Sequence, residues 1–290
     1  MARIAIVIYL LLIGLTGNAI AGDNQESFYA KIGRTVIRLE YLTETLKEGN
    51  VKSVTASNPQ GTGFFILSGN SLFLVTARHV VDTDHDLRAR VNIFNEVTNK
   101  SAILLLRLPR KNWIFHPDNG NDKIDAVDVA IIKLPIPVIE GDFSNSFGAF
   151  IYDPNNAKDN QLPGKDALPP EQVVAFGFPG DTGFKLREQR PMGRFGIIAM
   201  VTGEEFIKID NKKFANGRCS LLDIKAFPGN SGSPVMSATG NINLLGVLIA
   251  SNSSDFALIE PVSRIREIMD IAIKTPIQNY DYWSKYQRNP

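Results

Sequence analysis

Cysteine is almost absent from this 290-residue chain: Cys219 is the only one. No internal disulfide can form, so the fold must be held by its core. With 44% hydrophobic residues there is enough apolar material for one large domain or two small ones. Cys219, just ahead of Leu221-Leu222, reads as a small buried residue rather than a thiol nucleophile. Charge of one sign is also lacking: 31 Lys+Arg stand against 30 Asp+Glu, a formal net charge of +1. The basic residues are scattered, which argues against nucleic acid as a partner. There are three histidines, and no Cys/His cluster, phosphate loop or dinucleotide motif, so no cofactor is implied. Asp82, Asp84, His85 and Asp86 lie too close together to define a metal geometry and read as a solvated loop. His116 has no partner visible in the sequence.

Long hydrophobic runs are missing as well. Ile4 to Leu15 is apolar but shorter than the roughly 20 residues that span a bilayer. It follows Arg3 and precedes Ala19-Ile20-Ala21, the small-x-small pattern of a signal peptidase site. The expectation is a signal peptide at 1–21 and a secreted or periplasmic protein; a retained anchor is the alternative.

What the chain does have is short apolar runs bounded by Gly, Asn, Asp and Pro. They include Gly63 to Leu67, Leu72 to Thr76, Ile103 to Leu108, Val127 to Leu134, Val173 to Phe178, Gly196 to Val201, Leu221 to Ile224, Val235-Met236 and Leu244 to Ala250. Runs of this length, rich in Val, Ile, Leu and Phe, predict an all-β barrel or sandwich. Ile37 to Leu42 alternates like an edge or half-buried strand, after a short helix expected near 26–34. Val262, Ile265, Ile268, Met269 and Ala272 fall on one helical face, and Pro276 stops that helix. Six prolines between 135 and 170 mark a linker with an inserted loop.

Three contexts carry chemistry. Gly229-Asn230-Ser231-Gly232-Ser233-Pro234 can hold a serine hydroxyl on a tight turn, with the Gly229 and Ser231 amides gathered where an oxyanion would develop. His79 follows the apolar strand Leu74 to Thr76, where an imidazole can be held rigidly yet reach a cleft. Asp128 heads the apolar strand Val129 to Leu134, so its carboxylate needs a partner, and a histidine N–H suits it. Asp125 is the competing acid.

These residues resemble the chymotrypsin-like (trypsin-like) serine proteases, in particular exported bacterial forms without disulfides, over roughly 35–272. Thr76-Ala77-Arg78-His79 is similar to that family's histidine motif. Asp128-Val129-Ala130-Ile131 is similar to its aspartate strand, and Gly229 to Pro234 to its nucleophile motif in the Ser-Pro form of glutamyl endopeptidases. Weaker echoes are Gly61-Thr62-Gly63-Phe64, Phe176 to Gly180, Leu244 to Val247 and Phe256 to Pro261.

The resemblance implies two six-stranded antiparallel β-barrels with a C-terminal α-helix. The N-terminal barrel (22–140) would carry His79 and Asp128. A linker and inserted loop (141–170) would follow, then the C-terminal barrel and closing helix (171–275) with Ser231, and a tail (276–290). It implies a serine endopeptidase with catalytic His79, Asp128 and Ser231 and an oxyanion hole at Gly229 and Ser231. The substrate would be a protein or peptide bound in extended form, with Ile249-Ala250-Ser251 as the pocket wall and Lys225 near the pocket base. No membrane partner is expected after signal cleavage. Many animal members place an aspartate before the serine to pair with a new N-terminus. Here that position is Asn230, whose amide cannot form the ion pair, so the site is expected to form without zymogen cleavage. The alternative reading is an inactive two-barrel protein that binds peptides or proteins. The complete His-Asp-Ser set argues against it.

Overall fold

The computed structural model describes residues 32–47, 50–95, 100–120, 125–137, 148–156, 160–180, 190–202, 207–209, 212–214, 219–239, 243–252 and 254–286. The expected leader and the first part of the expected helix near 26–34 lie outside them. Residues 32–35 form a helical turn that runs directly into a strand.

The first sheet is built from β1 (Val36–Lys47), β2 (Asn50–Ser68), β3 (Ser71–Thr76), β4 (Leu87–Asn95), β5 (Lys100–Leu108), β6 (Ile114–Phe115), β7 (Ala130–Leu134) and β8 (Phe150–Ile151). The second is built from β9 (Gln172–Gly177), β10 (Met192–Val201), β13 (Ser220–Asp223), β14 (Pro234–Ser237), β15 (Leu244–Ser251) and β16 (Phe256–Pro261). β11 (Ile207–Ile209) and β12 (Lys212–Phe214) form a separate ribbon. Helix α1 spans Arg78–Val81 and helix α2 spans Val262–Lys274; β17 (Trp283–Tyr286) ends the series.

The second sheet closes as a six-stranded barrel in the order β10-β13-β16-β15-β14-β9. The first is larger than the expected six strands: nine strands run β17-β5-β4-β1-β2-β3-β7-β6, with β8 added in parallel on β2. Together with α2 this is the chymotrypsin-like two-barrel architecture.

The apolar runs become the strands. Period-two alternation in β4 sends Leu87, Ala89, Val91 and Ile93 into the core. β1 is an interior strand, flanked by β2 and β4, rather than an edge. Its Ile37 and Leu39 enter the core, while Glu40 on the opposite face is also fully buried. A lone buried carboxylate would be costly. Here Glu40 Oε1 meets Arg38 Nε at 3.2 Å, and Oε2 meets Arg88 Nε at 3.2 Å and Arg90 Nε at 3.5 Å.

The proline-rich segment is more than a linker where it is described. β8 lies in it, Tyr152 and Leu162 are buried, and Tyr152 N–H donates to Leu67 O at 2.9 Å. Asp166 from the same segment caps α2, accepting from Ser263 N–H at 2.9 Å and from Ser263 Oγ at 2.8 Å. The expected helical face is buried at Val262, Ile265, Ile268, Met269 and Ala272. α2 packs on β15 and β16 of the closed barrel and on β7 of the first sheet. Lys133 of β7 donates Nζ to Ile273 O and Thr275 O, both at 2.8 Å, which satisfies carbonyls left over at the helix end.

Beyond Pro276 the chain returns to the first sheet and adds β17 antiparallel to β5. Tyr282, 1% exposed, anchors this return: its hydroxyl accepts from Asn112 Nδ2 at 2.7 Å, and its carbonyl from Arg107 N–H at 2.8 Å. Tyr282→Ala should therefore destabilise the protein by about 3–5 kcal/mol, as buried aromatic truncations do. Tyr282→Phe should cost only about 1 kcal/mol, the net worth of one hydrogen bond. Urea unfolding of the two variants measures both.

Candidate active site

β3 and β7 pair antiparallel with Thr76 opposite Ala130, so residues just past Thr76 face residues just before Ala130. That register brings His79 to Asp128. After Thr76 the chain passes through extended Ala77 into α1, whose Val80 and Val81 are buried and hold it down. Arg78 N–H donates to Asp128 O at 3.2 Å. His79 N–H donates to Asp128 Oδ1 at 2.8 Å, and His79 Nδ1 lies 2.6 Å from Asp128 Oδ2. A carboxylate in this position holds the imidazole with Nδ1 protonated and Nε2 free to accept. The His79 side chain is 35% exposed and that of Asp128 10%. Asp125, the competing acid, is exposed.

The Ser231 turn depends on two glycines in the left-handed region, Gly229 at φ 92° and Gly232 at φ 88°. A Cβ on Gly229 would approach Phe178 O to 2.5 Å, and one on Gly232 would collide with Thr62 O. Within the turn, Asn230 N–H donates to Phe227 O at 3.0 Å, Gly232 N–H to Leu248 O at 2.7 Å and Ser233 N–H to Asn230 O at 2.9 Å. Among the described residues the amides of Gly229 and Ser231 have no acceptor. Pro228 O accepts from Gly180 N–H at 2.7 Å. In a trans peptide this turns the Gly229 N–H to the opposite side.

Thr62 of β2 joins this turn to the first sheet. Its N–H donates to Ser231 O at 2.8 Å and its Oγ1 to Gly229 O at 2.8 Å, while Oγ1 accepts from Phe178 N–H at 2.9 Å. Thr76 Oγ1 donates to Thr62 O at 2.6 Å. The α1 segment and the serine turn also converge on Gly61, where a Cβ would lie 2.6 Å from Val80 Cγ1 and 3.0 Å from Ser231 O.

The trypsin-like peptidase domain model matches residues 61–247, which include His79, Asp128 and Ser231. The chain belongs to the trypsin-like peptidase family. Solved structures similar to this trypsin-like domain include the MamO protease domain from Magnetospirillum magneticum in its apo form. That likeness has 15% identity and a TM-score of 0.47, covering 83% of this chain and 98% of the other. Another is Rv3671c from M. tuberculosis H37Rv, in the inactive form of a serine-to-alanine mutant. It has 13% identity and a TM-score of 0.47, covering 91% of this chain and all of the other. No curated protein matches the chain.

The structure places the expected pocket residues of this trypsin-like domain as follows. Leu248 is bonded to the serine turn at both its N–H and its carbonyl, so Ile249, Ala250 and Ser251 run on from the turn. β14 pairs with β15 only as far as Val247, whereas β16 continues to Ser251. Among the described residues, one side of 249–251 therefore lacks a paired strand. Ile249 is buried; Ala250 and Ser251 are half-buried. Lys225 is solvent-exposed, 3.4 Å from Asp255 Oδ1. Asn230 is buried, and among the described residues its Oδ1 has no hydrogen-bond partner. Cys219 is buried and outside any disulfide. Asp82 and Asp84 are spent on Arg78 and Arg110, and no metal-binding group of three appears among the described residues.

The supporting roles of Thr62 and Glu260 carry no signal in the sequence, and His116 showed no partner there. Glu260 on β16 is fully buried, and its Oε1 accepts from Asp128 N–H at 3.0 Å. His116 does have a partner, since its Nε2 lies 2.8 Å from Glu267 Oε2 on α2. Its Nδ1 accepts from Asp118 N–H at 3.2 Å, and its own N–H donates to Val129 O at 3.2 Å, beside Asp128. No sequence signal links 116 with 267, because α2 supplies the contact.

Burial lowers the His116 pKa below the usual 6.5, outweighing the opposing pull of Glu267. The folded protein therefore binds fewer protons here than the unfolded chain does. The resulting stability is present above pH 6.5 and is lost as pH falls from there through the lowered folded pKa. In His116→Gln this part of the acid sensitivity should vanish, which denaturant titrations between pH 7.5 and pH 5, on the order of the His range, measure directly.

Proposed function

We propose that the protein is an exported serine endopeptidase. The observation that carries the reading is the two-point hold of Asp128 on His79. It sets the imidazole as a base whose Nε2 is available for a hydroxyl. In this reading Ser231 Oγ attacks the scissile carbonyl carbon while His79 Nε2 takes its proton. The carbonyl electrons move onto oxygen, which the N–H groups of Gly229 and Ser231 receive. Collapse breaks the C–N bond. His79 gives its proton to the leaving amine, and an acyl-Ser231 ester remains. Water, deprotonated by His79, then attacks the ester and releases the acid and free Ser231. Asp128 stays ionised throughout and stabilises the imidazolium.

The side of Ile249-Ala250-Ser251 that has no paired strand among the described residues supports an extended peptide as substrate, held by backbone hydrogen bonds in the manner of an added strand. Lys225, proposed near the pocket base, is exposed and faces Asp255, which partly compensates its charge. Export rests on the leader pattern at 1–21. Among the described residues, no helix is long and apolar enough to cross a membrane.

The chain starting at Gly22, with no further cut, should react with a fluorophosphonate probe at Ser231, and Ser231→Ala should not. Absence of labelling in the folded wild type would leave the peptide-binding alternative. Asp128→Asn should lower turnover by about 10⁴-fold through the wrong imidazole tautomer. A loss below about tenfold, against that magnitude, would mean that Asp128 is not the orienting acid.

A further inference from the structure

Three of the bonds that Asp128 makes come from one short stretch. Arg78 N–H holds its carbonyl, and His79 N–H and Nδ1 hold its two carboxylate oxygens. These bonds fix Asp128 relative to His79, but they move with α1. They say nothing about where the pair stands relative to Ser231, which lies on the closed barrel. The contact from Glu260 is of another kind. Glu260 belongs to β16 of that closed barrel, and its Oε1 accepts the Asp128 N–H at 3.0 Å. It is fully buried and cannot exchange that amide for water.

The backbone on both sides of this amide is held too. Val127 N–H donates to Asp118 O at 3.0 Å, and Val129 O accepts from His116 N–H. His116 is bonded in turn to Glu267, and Arg264 Nη1 reaches both Glu267 oxygens, at 3.1 and 2.8 Å. Burial works against the charge of Arg264, but Glu267 and then Glu260 outweigh it and raise its pKa. The charged and titratable groups around Glu260 include Arg264 on α2 and, through the bonded amide, Asp128 and His79. Glu267, His116 and Asp118 stand one contact further out.

We propose that Glu260 is a positioning residue that registers the His79–Asp128 pair against the barrel carrying Ser231. The proposal rests on the serine-protease reading and adds a function to a residue outside the proposed triad. Glu260 never touches substrate. It acts through the Asp128 backbone, so removing its oxygen lets the pair drift while the substrate-binding strand at 249–251 is untouched. The expected signature is a fall in kcat with KM unchanged. A misplacement of about 1 Å at the reacting groups costs on the order of 10²-fold in rate.

The test compares Glu260→Gln, which keeps an acceptor oxygen without the charge, with Glu260→Met, which keeps the length and loses the acceptor. Two measurements are made on each and on the wild type: kcat and KM on a peptide ester, and the exchange rate of the Asp128 amide proton by NMR. The expected result is a slow Asp128 amide in the wild type and in E260Q. In E260M that amide should exchange fast and kcat should fall by about 10²-fold, with KM within about twofold of wild type. E260Q should recover most of the rate, because its amide oxygen still accepts from the Asp128 N–H. A folded E260M with unchanged kcat, or a fast-exchanging Asp128 amide in the wild type, overturns the proposal. If E260M does not fold, the Asp128 amide exchange in wild type and E260Q still decides it: slow exchange in both supports the proposal, and fast exchange in either overturns it. If the wild type fails to label with fluorophosphonate, the protease reading falls by itself, and the Asp128 amide exchange still shows whether Glu260 holds Asp128.

Discussion

The bond between Asp128 and His79 orders the candidate site, and it depends on how the backbone around Asp128 is satisfied. Asp128 lies just ahead of β7, and its amide turns to a side chain rather than into the strand ladder. A buried amide without an acceptor would cost roughly 1–3 kcal/mol. Glu260 supplies the acceptor from the other barrel. The same problem is solved in the opposite direction at Thr62, whose hydroxyl and amide meet the backbone of the serine turn. Each barrel therefore completes the hydrogen bonding of the other where the functional groups lie.

This mutual completion explains why the chain can do without disulfides. α2 packs on strands of both sheets, Lys133 caps its last carbonyls from the first sheet, and β17 brings the chain end back to β5. The two barrels are connected by covalent chain in the middle and by packed chain at the end. Positions that would otherwise drift are held by buried polar contacts. Such contacts are specific because an unmade partner is expensive in a dry setting.

Much of this was legible in the chain. The apolar runs became strands, the periodic stretch at 262–272 became the closing helix, and the Gly229–Pro234 turn formed around two left-handed glycines. These are local properties: alternation, helical spacing and glycine content each act within a few residues. Other features were not legible in the chain because their causes are not local. Glu40, on a strand that looked half-solvated, is buried because three arginines converge on it. The proline-rich segment read as a linker carries β8 and caps α2. The polar-aromatic tail became a strand because β5 offered an open edge. His116 lacked a partner until α2 delivered Glu267 from 151 residues away.

The amino-acid sequence by itself determined the all-β class, the absence of covalent staples, the turn able to present Ser231, and the identity of the residues proposed to act. It could do so because residue type and short-range spacing set backbone conformation and intrinsic chemistry. Only the tertiary structure decided which acid His79 meets, which amides of the serine turn find no acceptor among the described residues, and that Thr62 and Glu260 tie the two barrels together across the site. Those are matters of strand register and of long-range hydrogen bonding. They are settled when distant segments pack and each buried polar group must find a partner.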